Sequence, residues 1–361
     1  MDETASVPDP TMLYRIRDGV YANDLLITAV ADLDLFTWLD KRGPIRASEL
    51  VGELNLARRP TDVLLTYCAA LGLIDRDVVD GDRVELTETA RHHLVAGSRY
   101  DLRPYYGSLA ERPAVIELGQ VLRTGKQAPW ASAQLTGPIS ASPAGAPANA
   151  DWSGRLTDPQ FASTITAAMD ARAAFLAPAL ARAVESLPIS NLLDIGGSSG
   201  SYASAIIDRR PDTRAAVFER PPVDEAARTL LRERGLSDRI SVITGDMFTD
   251  PLPDGYDVHL YSQVLHDWDA ERVAQLLAAS FAALLPGGWL LDHDTHINSD
   301  KRGPLSVAEY SVLLMHSTLG KCWSRYELAK IATAVGFADI VERPTICDRS
   351  VLVAHKPDRR A

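Results

Sequence analysis

Apolar residues recur at helical spacing over residues 12–40, where Leu25, Ile27, Val30, Leu33, Leu35 and Leu39 predict a helical stretch. Gly43 and Pro44 break it and open a compact unit. One short helix is predicted from Ser48. Another is predicted at Pro60, whose missing N–H costs little in a first turn. Leu73 and Ile74, the turn signal Asp80 and Gly81, and the run that begins at Val84 predict a hairpin. Helix, helix, hairpin is the order of a winged helix. Residues 101–130 read as helical again. Residues 133–152, rich in Ala, Pro, Ser and Gly and without periodicity, are expected to form an exposed loop or a flexible lid near a domain junction.

From Leu187 onward the pattern changes to short apolar strands alternating with helices. Strands are predicted at Asn191, Arg214, Ile240, Tyr256 and Trp289, with a last one at Ser350. Between the fourth and fifth, Val273, Leu276, Leu277, Phe281 and Leu284 mark one face of a helix over residues 270–285. Such alternation implies an α/β fold, a Rossmann-like parallel sheet with helices on both faces. Three regions are therefore expected: a winged-helix-like dimerisation domain over residues 1–100, a helical linker over 101–186, and a catalytic domain over 187–361.

Composition narrows the function. The 361 residues are 46% hydrophobic and 24% charged, the balance of a soluble protein with room for two domains. The net charge of −11 repels phosphate backbones. A winged helix can read DNA, but the best recognition helix carries only Arg58 and Arg59 near its start. The unit is read instead as an oligomerisation and substrate-covering module, with no nucleic-acid partner. Three widely spaced cysteines, no secretion signal and no apolar run of membrane length point to a cytoplasmic protein with no membrane partner.

The chemistry concentrates at the predicted strand ends. Asp194 is followed by Ile-Gly-Gly-Ser-Ser-Gly, where Gly196, Gly197 and Gly200 allow a sharp turn and close approach of a ligand. Glu219, after the second strand, can accept both hydroxyls of a ribose. Asp246 and Met247, after the third, can bracket an adenine. The glycines do not follow GxGxxG, which disfavours a dinucleotide-dependent dehydrogenase. Asp194 can orient the loop and meet a methionine amino group, so the cofactor expected is S-adenosylmethionine.

The segments Leu193-Asp-Ile-Gly-Gly-Ser-Ser-Gly, Phe218-Glu-Arg-Pro, Gly245-Asp-Met-Phe and Leu265-His-Asp-Trp, in this order, resemble the S-adenosylmethionine-dependent small-molecule O-methyltransferases of the caffeate and antibiotic-tailoring type. The resemblance covers nearly the whole chain. It implies a homodimer formed through the N-terminal domain, which lends residues to the partner's active site. It implies a cofactor pocket lined by Gly196, Gly197, Glu219, Asp246, Met247, Ser262 and Trp268, with Trp268 against the adenine. It also makes His266 the general base that deprotonates a phenol, with Asp294 in support. A second supporting acid belongs to a Gly-Lys-Glu-Arg-Thr segment, which here reads Gly320-Lys-Cys-Trp-Ser.

That departure, with the stretch over residues 308–324, resembles a smaller branch of metal-dependent C-methyltransferases acting on 2-oxo acids for peptide antibiotics. The branch implies iron or another divalent metal held by His266, Asp267 and His316. A 2-oxo acid chelates such a metal, which stabilises its enolate and makes the β-carbon nucleophilic. A site of two histidines and one carboxylate leaves positions open for that chelate. Arg172 is the candidate cation for the substrate carboxylate. The leading expectation is therefore β-carbon methylation of a branched aliphatic or phenylpyruvate-like 2-oxo acid. The alternative is metal-free O-methylation of a phenol with His266 as base.

Overall fold

In the computed structural model, which describes residues 7–128 and 152–358, a seven-stranded sheet carries the C-terminal half. With the short strands Ile45–Arg46, Ile74–Asp77 and Arg83–Leu86 numbered β1 to β3, its members are β4 (Asn191–Ile195), β5 (Arg214–Glu219), β6 (Ile240–Thr244), β7 (Val258–Ser262), β8 (Trp289–Asp294), β9 (Ala338–Pro344) and β10 (Ser350–His355). The order is β6-β5-β4-β7-β8-β10-β9. The five strands from β6 to β8 run parallel, as the alternating pattern requires. The sheet is not parallel throughout, because β10 is antiparallel to both β8 and β9. A tight reversal between β9 and β10 leaves no crossover helix, and a hairpin can only be antiparallel. Strand β9 escaped the periodicity reading because it is an edge strand without fully buried side chains.

The chain order reverses beside β4, which pairs with β5 on one side and β7 on the other. Ligands of open α/β sheets bind at the carboxyl ends of strands flanking such a reversal. Helix Pro159–Ala183 packs against helix Ser201–Asp208, which leaves the loop after β4.

The described chain folds as two compact units. The sheet unit holds residues 7–11, 152–295 and 327–358; the other holds residues 12–128 and 296–326. Helix Leu305–Ser317 belongs to the second unit, where it packs against helices Arg58–Ala70, Ala22–Ile27 and Pro113–Thr124. The reason lies in its composition: Val307, Ala308, Tyr310, Val312, Leu314 and Met315 are all buried, so most of its circumference is apolar and needs neighbours. The expected helix, helix, hairpin order is present in this unit, with β1-β3-β2 as its small sheet. The stretch over residues 12–40 is helical but broken into Thr11–Asp18, Ala22–Ile27, a π turn at Thr28–Asp32, and Leu35–Arg42.

Arg59 does not face outward as a DNA-reading residue would. Its guanidinium donates to the carbonyls of Met315, Gly320 and Gly125 at 2.8–3.1 Å. The expected loop over residues 133–152 lies outside the described residues, apart from Trp152, which opens helix Trp152–Arg155. No described helix is long and apolar enough to cross a membrane.

Candidate active site

The loop after β4 carries the first signs of a ligand site. Asp194 is fully buried, and neither carboxyl oxygen has a hydrogen-bond partner among the described residues. Burial pushes its pKa up to about 7. A buried carboxylate without partners is costly, and an ammonium or a row of N–H donors would relieve it. Gly196 takes φ +68°, in the left-handed region open to glycine. At Gly197 a Cβ would lie 2.5 Å from the Asp194 Cγ. We expect Gly197→Ala to push Asp194 aside and weaken S-adenosylhomocysteine binding by about tenfold or more, ~1.4 kcal/mol, in titration calorimetry. Wild-type affinity in that variant would rule out this role for the loop.

Glu219 ends β5, as expected. Its Oε2 accepts from Ser198 N–H at 3.2 Å and its Oε1 from Arg220 N–H at 2.9 Å. Each oxygen retains a lone pair for a ribose hydroxyl. Burial raises this carboxyl to about 7, which an incoming pair of hydroxyl donors would reverse. Beyond β6, Asp246 Oδ1 accepts from Phe248 N–H at 2.9 Å, and its Oδ2 takes no hydrogen bond among the described residues. Met247 is half-buried. Phe248, to which the sequence assigned no role, meets Trp268 edge-on with ring centroids 4.6 Å apart. The Trp268 Nε1 and the Ser262 Oγ are buried without partners among the described residues. All eight residues expected to hold the cofactor thus lie in the sheet unit, at or just beyond the carboxyl ends of its strands. The unpaired Asp194, Ser262 and Trp268 atoms fit a polar ligand such as S-adenosylmethionine.

His266 sits in a 3-10 turn, Leu265–Asp267, between β7 and the helix Ala270–Ala283. Its Nδ1 lies 2.8 Å from Asp294 Oδ1, and both side chains are buried. A carboxylate only accepts, so Nδ1 carries the proton and the neutral ring presents Nε2 as an acceptor. Asp267 Oδ1 lies 3.6 Å from that Nε2. Asp267 does not cap the following helix, because Asp269 does, accepting from Arg272 N–H at 2.9 Å. Burial works against a charged imidazole, but Asp294 and Asp267 outweigh it and hold the His266 pKa above its ordinary 6.5. Burial likewise raises the Asp267 carboxyl. Arg172, on helix Pro159–Ala183, is near enough for its charge to act on His266, Asp267 and Tyr202.

The expected metal finds no support. Among the described residues no three His, Cys, Asp or Glu side chains are grouped to hold a metal ion. His316 belongs to the other unit, fully buried, with its ring stacked on Tyr21 at 4.1 Å. Its Nε2 donates to Glu117 Oε2 at 2.9 Å, and its Nδ1 accepts from the Ser317 hydroxyl at 3.1 Å. Both ring nitrogens are therefore hydrogen-bonded within this unit. Glu117 had no signal in the sequence. Cys322, at the position of the missing acid, is buried, and its N–H donates to Ser311 Oγ at 3.1 Å. His293 faces the Tyr202 ring and places Nε2 3.3 Å from Thr345 Oγ1.

Family models and known proteins match the chain over most of its length. Residues 121–338 match the family model of the O-methyltransferase domain, and residues 15–96 that of the O-methyltransferase dimerisation domain. The 3-hydroxy-5-methyl-1-naphthoate 3-O-methyltransferase of Streptomyces sahachiroi is 29% identical over 92% of this chain and 90% of its own. The tetracenomycin polyketide synthesis 8-O-methyl transferase of Streptomyces glaucescens is 28% identical over 97% and 98%. Among solved structures, an O-methyltransferase family 2 protein from Planctomyces limnophilus in complex with apigenin superposes with a TM-score of 0.82. It is 29% identical and covers 97% of this chain and 96% of its own.

Proposed function

The chain belongs to the O-methyltransferase family of S-adenosylmethionine-dependent enzymes, and from that premise we propose that it methylates a phenolic hydroxyl of an aromatic small molecule, with His266 as general base. The observation that carries this reading is the buried His266–Asp294 pair at 2.8 Å, which fixes the ring tautomer and leaves Nε2 as acceptor. Bound S-adenosylmethionine supplies an electrophilic methyl group on its sulfonium. Asp194, Gly196, Gly197, Glu219, Asp246, Met247, Ser262 and Trp268 hold it at the strand ends. The phenol O–H passes its proton to His266 Nε2, and the oxygen so freed is the nucleophile. Asp294 and Asp267 stabilise the imidazolium that forms. The match to the dimerisation domain supports a homodimer as the working unit.

Both named relatives are O-methyltransferases of aromatic or polyketide substrates, which supports a phenol over a 2-oxo acid. The 2-oxo acid reading keeps one observation, Cys322 in place of the acid, but would require His316 to give up Glu117 or Ser317. The two are separated by mass spectrometry of the protein with S-adenosylmethionine and a panel of phenols and 2-oxo acids, each with and without chelator. Chelator-insensitive O-methylation of a phenol is expected. Chelator-sensitive methylation at the β-carbon of a 2-oxo acid would overturn the proposal.

The rate should also follow the protonation of His266. Because its pKa is raised, the neutral base appears only above the ordinary 6.5, and activity is lost as pH falls through that raised value. Asp294→Asn removes the largest contribution raising it, so the acid limb of the pH–kcat profile should move to lower pH while the plateau falls. An acid limb that stays in place would disconnect it from His266.

A further inference from the structure

The turn that delivers His266 is held in a strained backbone. Strand β7 ends at Ser262, and its ladder continues for one more bond, from Gln263 N–H to the His293 carbonyl at 2.9 Å. Gln263 then takes φ +57°, the left-handed region that residues other than Gly, Asn and Asp rarely enter. Such conformations persist only where the surroundings hold them, and they concentrate at functional sites.

The hold is visible. Gln263 is 5% exposed, and its Nε2 donates to the Tyr202 hydroxyl at 2.7 Å. Tyr202 lies in the first turn of helix Ser201–Asp208, directly after the glycine loop, and its ring rests edge-on against His293 at 5.3 Å. The next residue, Val264, lies against the loop as well: a Cβ on Gly196 would sit 3.2 Å from Val264 Cγ2. Two residues further on, His266 meets Asp294. One hydrogen bond and one apolar contact therefore tie the cofactor loop to the turn that carries the base.

We propose that Gln263, locked by Tyr202, is a positioning residue that couples the cofactor loop to the orientation of His266. The proposal rests on the reading of His266 as the base. Its logic is geometric: a reacting group displaced by about an ångström can lose a hundredfold in rate without losing its ligand.

The test uses the full chain and three variants. Tyr202→Phe keeps the ring against His293 and removes only the hydroxyl. Gln263→Leu removes the amide from a residue that disfavours the left-handed turn. Gln263→Asn tolerates that turn but is too short for the tether. We expect kcat to fall about tenfold in Tyr202→Phe and further in Gln263→Leu, with Gln263→Asn recovering part of the Leu loss and the phenol KM within about twofold throughout.

A second readout needs no turnover. Adding S-adenosylhomocysteine to the wild type should shift the NMR signal of the His266 ring, and Tyr202→Phe should at least halve that shift. An unchanged kcat and an unchanged shift in Tyr202→Phe overturn the coupling and leave the base reading standing. A wild type that shows the shift yet methylates no phenol overturns the base reading and keeps the coupling. Should Tyr202→Phe lose its fold, Gln263→Asn carries the same comparison.

Discussion

Replacing His266 with alanine should lower kcat by roughly 10²–10⁴, the usual contribution of a positioned general base. Asp267 lies 3.6 Å from Nε2, but a carboxylate is a weaker base toward a phenol than a neutral imidazole held above 6.5. The fold should survive, because Asp294 keeps the Thr295 N–H as a donor at 2.7 Å when the ring is gone. Affinity for S-adenosylhomocysteine should also survive, since the unpaired Asp194 and Ser262 atoms lie outside the substitution. Single-turnover rates alongside calorimetric titration would show the split. A variant that binds cofactor and turns over near the wild-type rate would end the general-base account.

The largest expected effect on stability is in the other unit. Asp62 accepts from Arg76 at 2.6 Å, from Lys301 at 2.8 Å and from Lys321, while Arg76 also grips Asp82. The Arg76 side chain is 1% exposed and that of Lys321 8%. Asp62→Ala removes the carboxylate that Arg76, Lys301 and Lys321 share, and removing one partner of a buried ion pair costs about 3–5 kcal/mol. A fall of roughly 10 °C in the melting temperature is expected by calorimetry. A shift of only a degree or two would mean that the cations relax into solvent. Burial alone would raise the Asp62 pKa, but Lys321, Arg76 and Lys301 hold it well below the ordinary carboxylate range. Its contribution to stability is therefore present above that range and is lost as pH falls below it.

Much of the site was legible because its signals are local. Asp194, Gly196 and Gly197 sit in one loop, Glu219 ends the next strand, and Asp246 follows the third, so strand spacing alone placed them at the carboxyl edge. Gln263 and Tyr202 were passed over because neither carries a sequence signal: the left-handed φ of Gln263 and the contact that holds it exist only in the fold. The partners of His316 were illegible for a similar reason. The sequence offered His266, Asp267 and His316 as ligands, but it could not say that Glu117, 199 residues away, occupies the Nε2 of His316.

Periodicity and turn chemistry are properties of a few consecutive residues, so the chain by itself determined the winged-helix order, the five parallel strands, the glycine loop and the acidic residue after the second strand. The tertiary structure decided which unit claims helix Leu305–Ser317, that β9 and β10 close the sheet antiparallel, and which acids each histidine meets. Those outcomes depend on contacts across tens to hundreds of residues, where burial and charge pairing select among partners that are equivalent in the sequence.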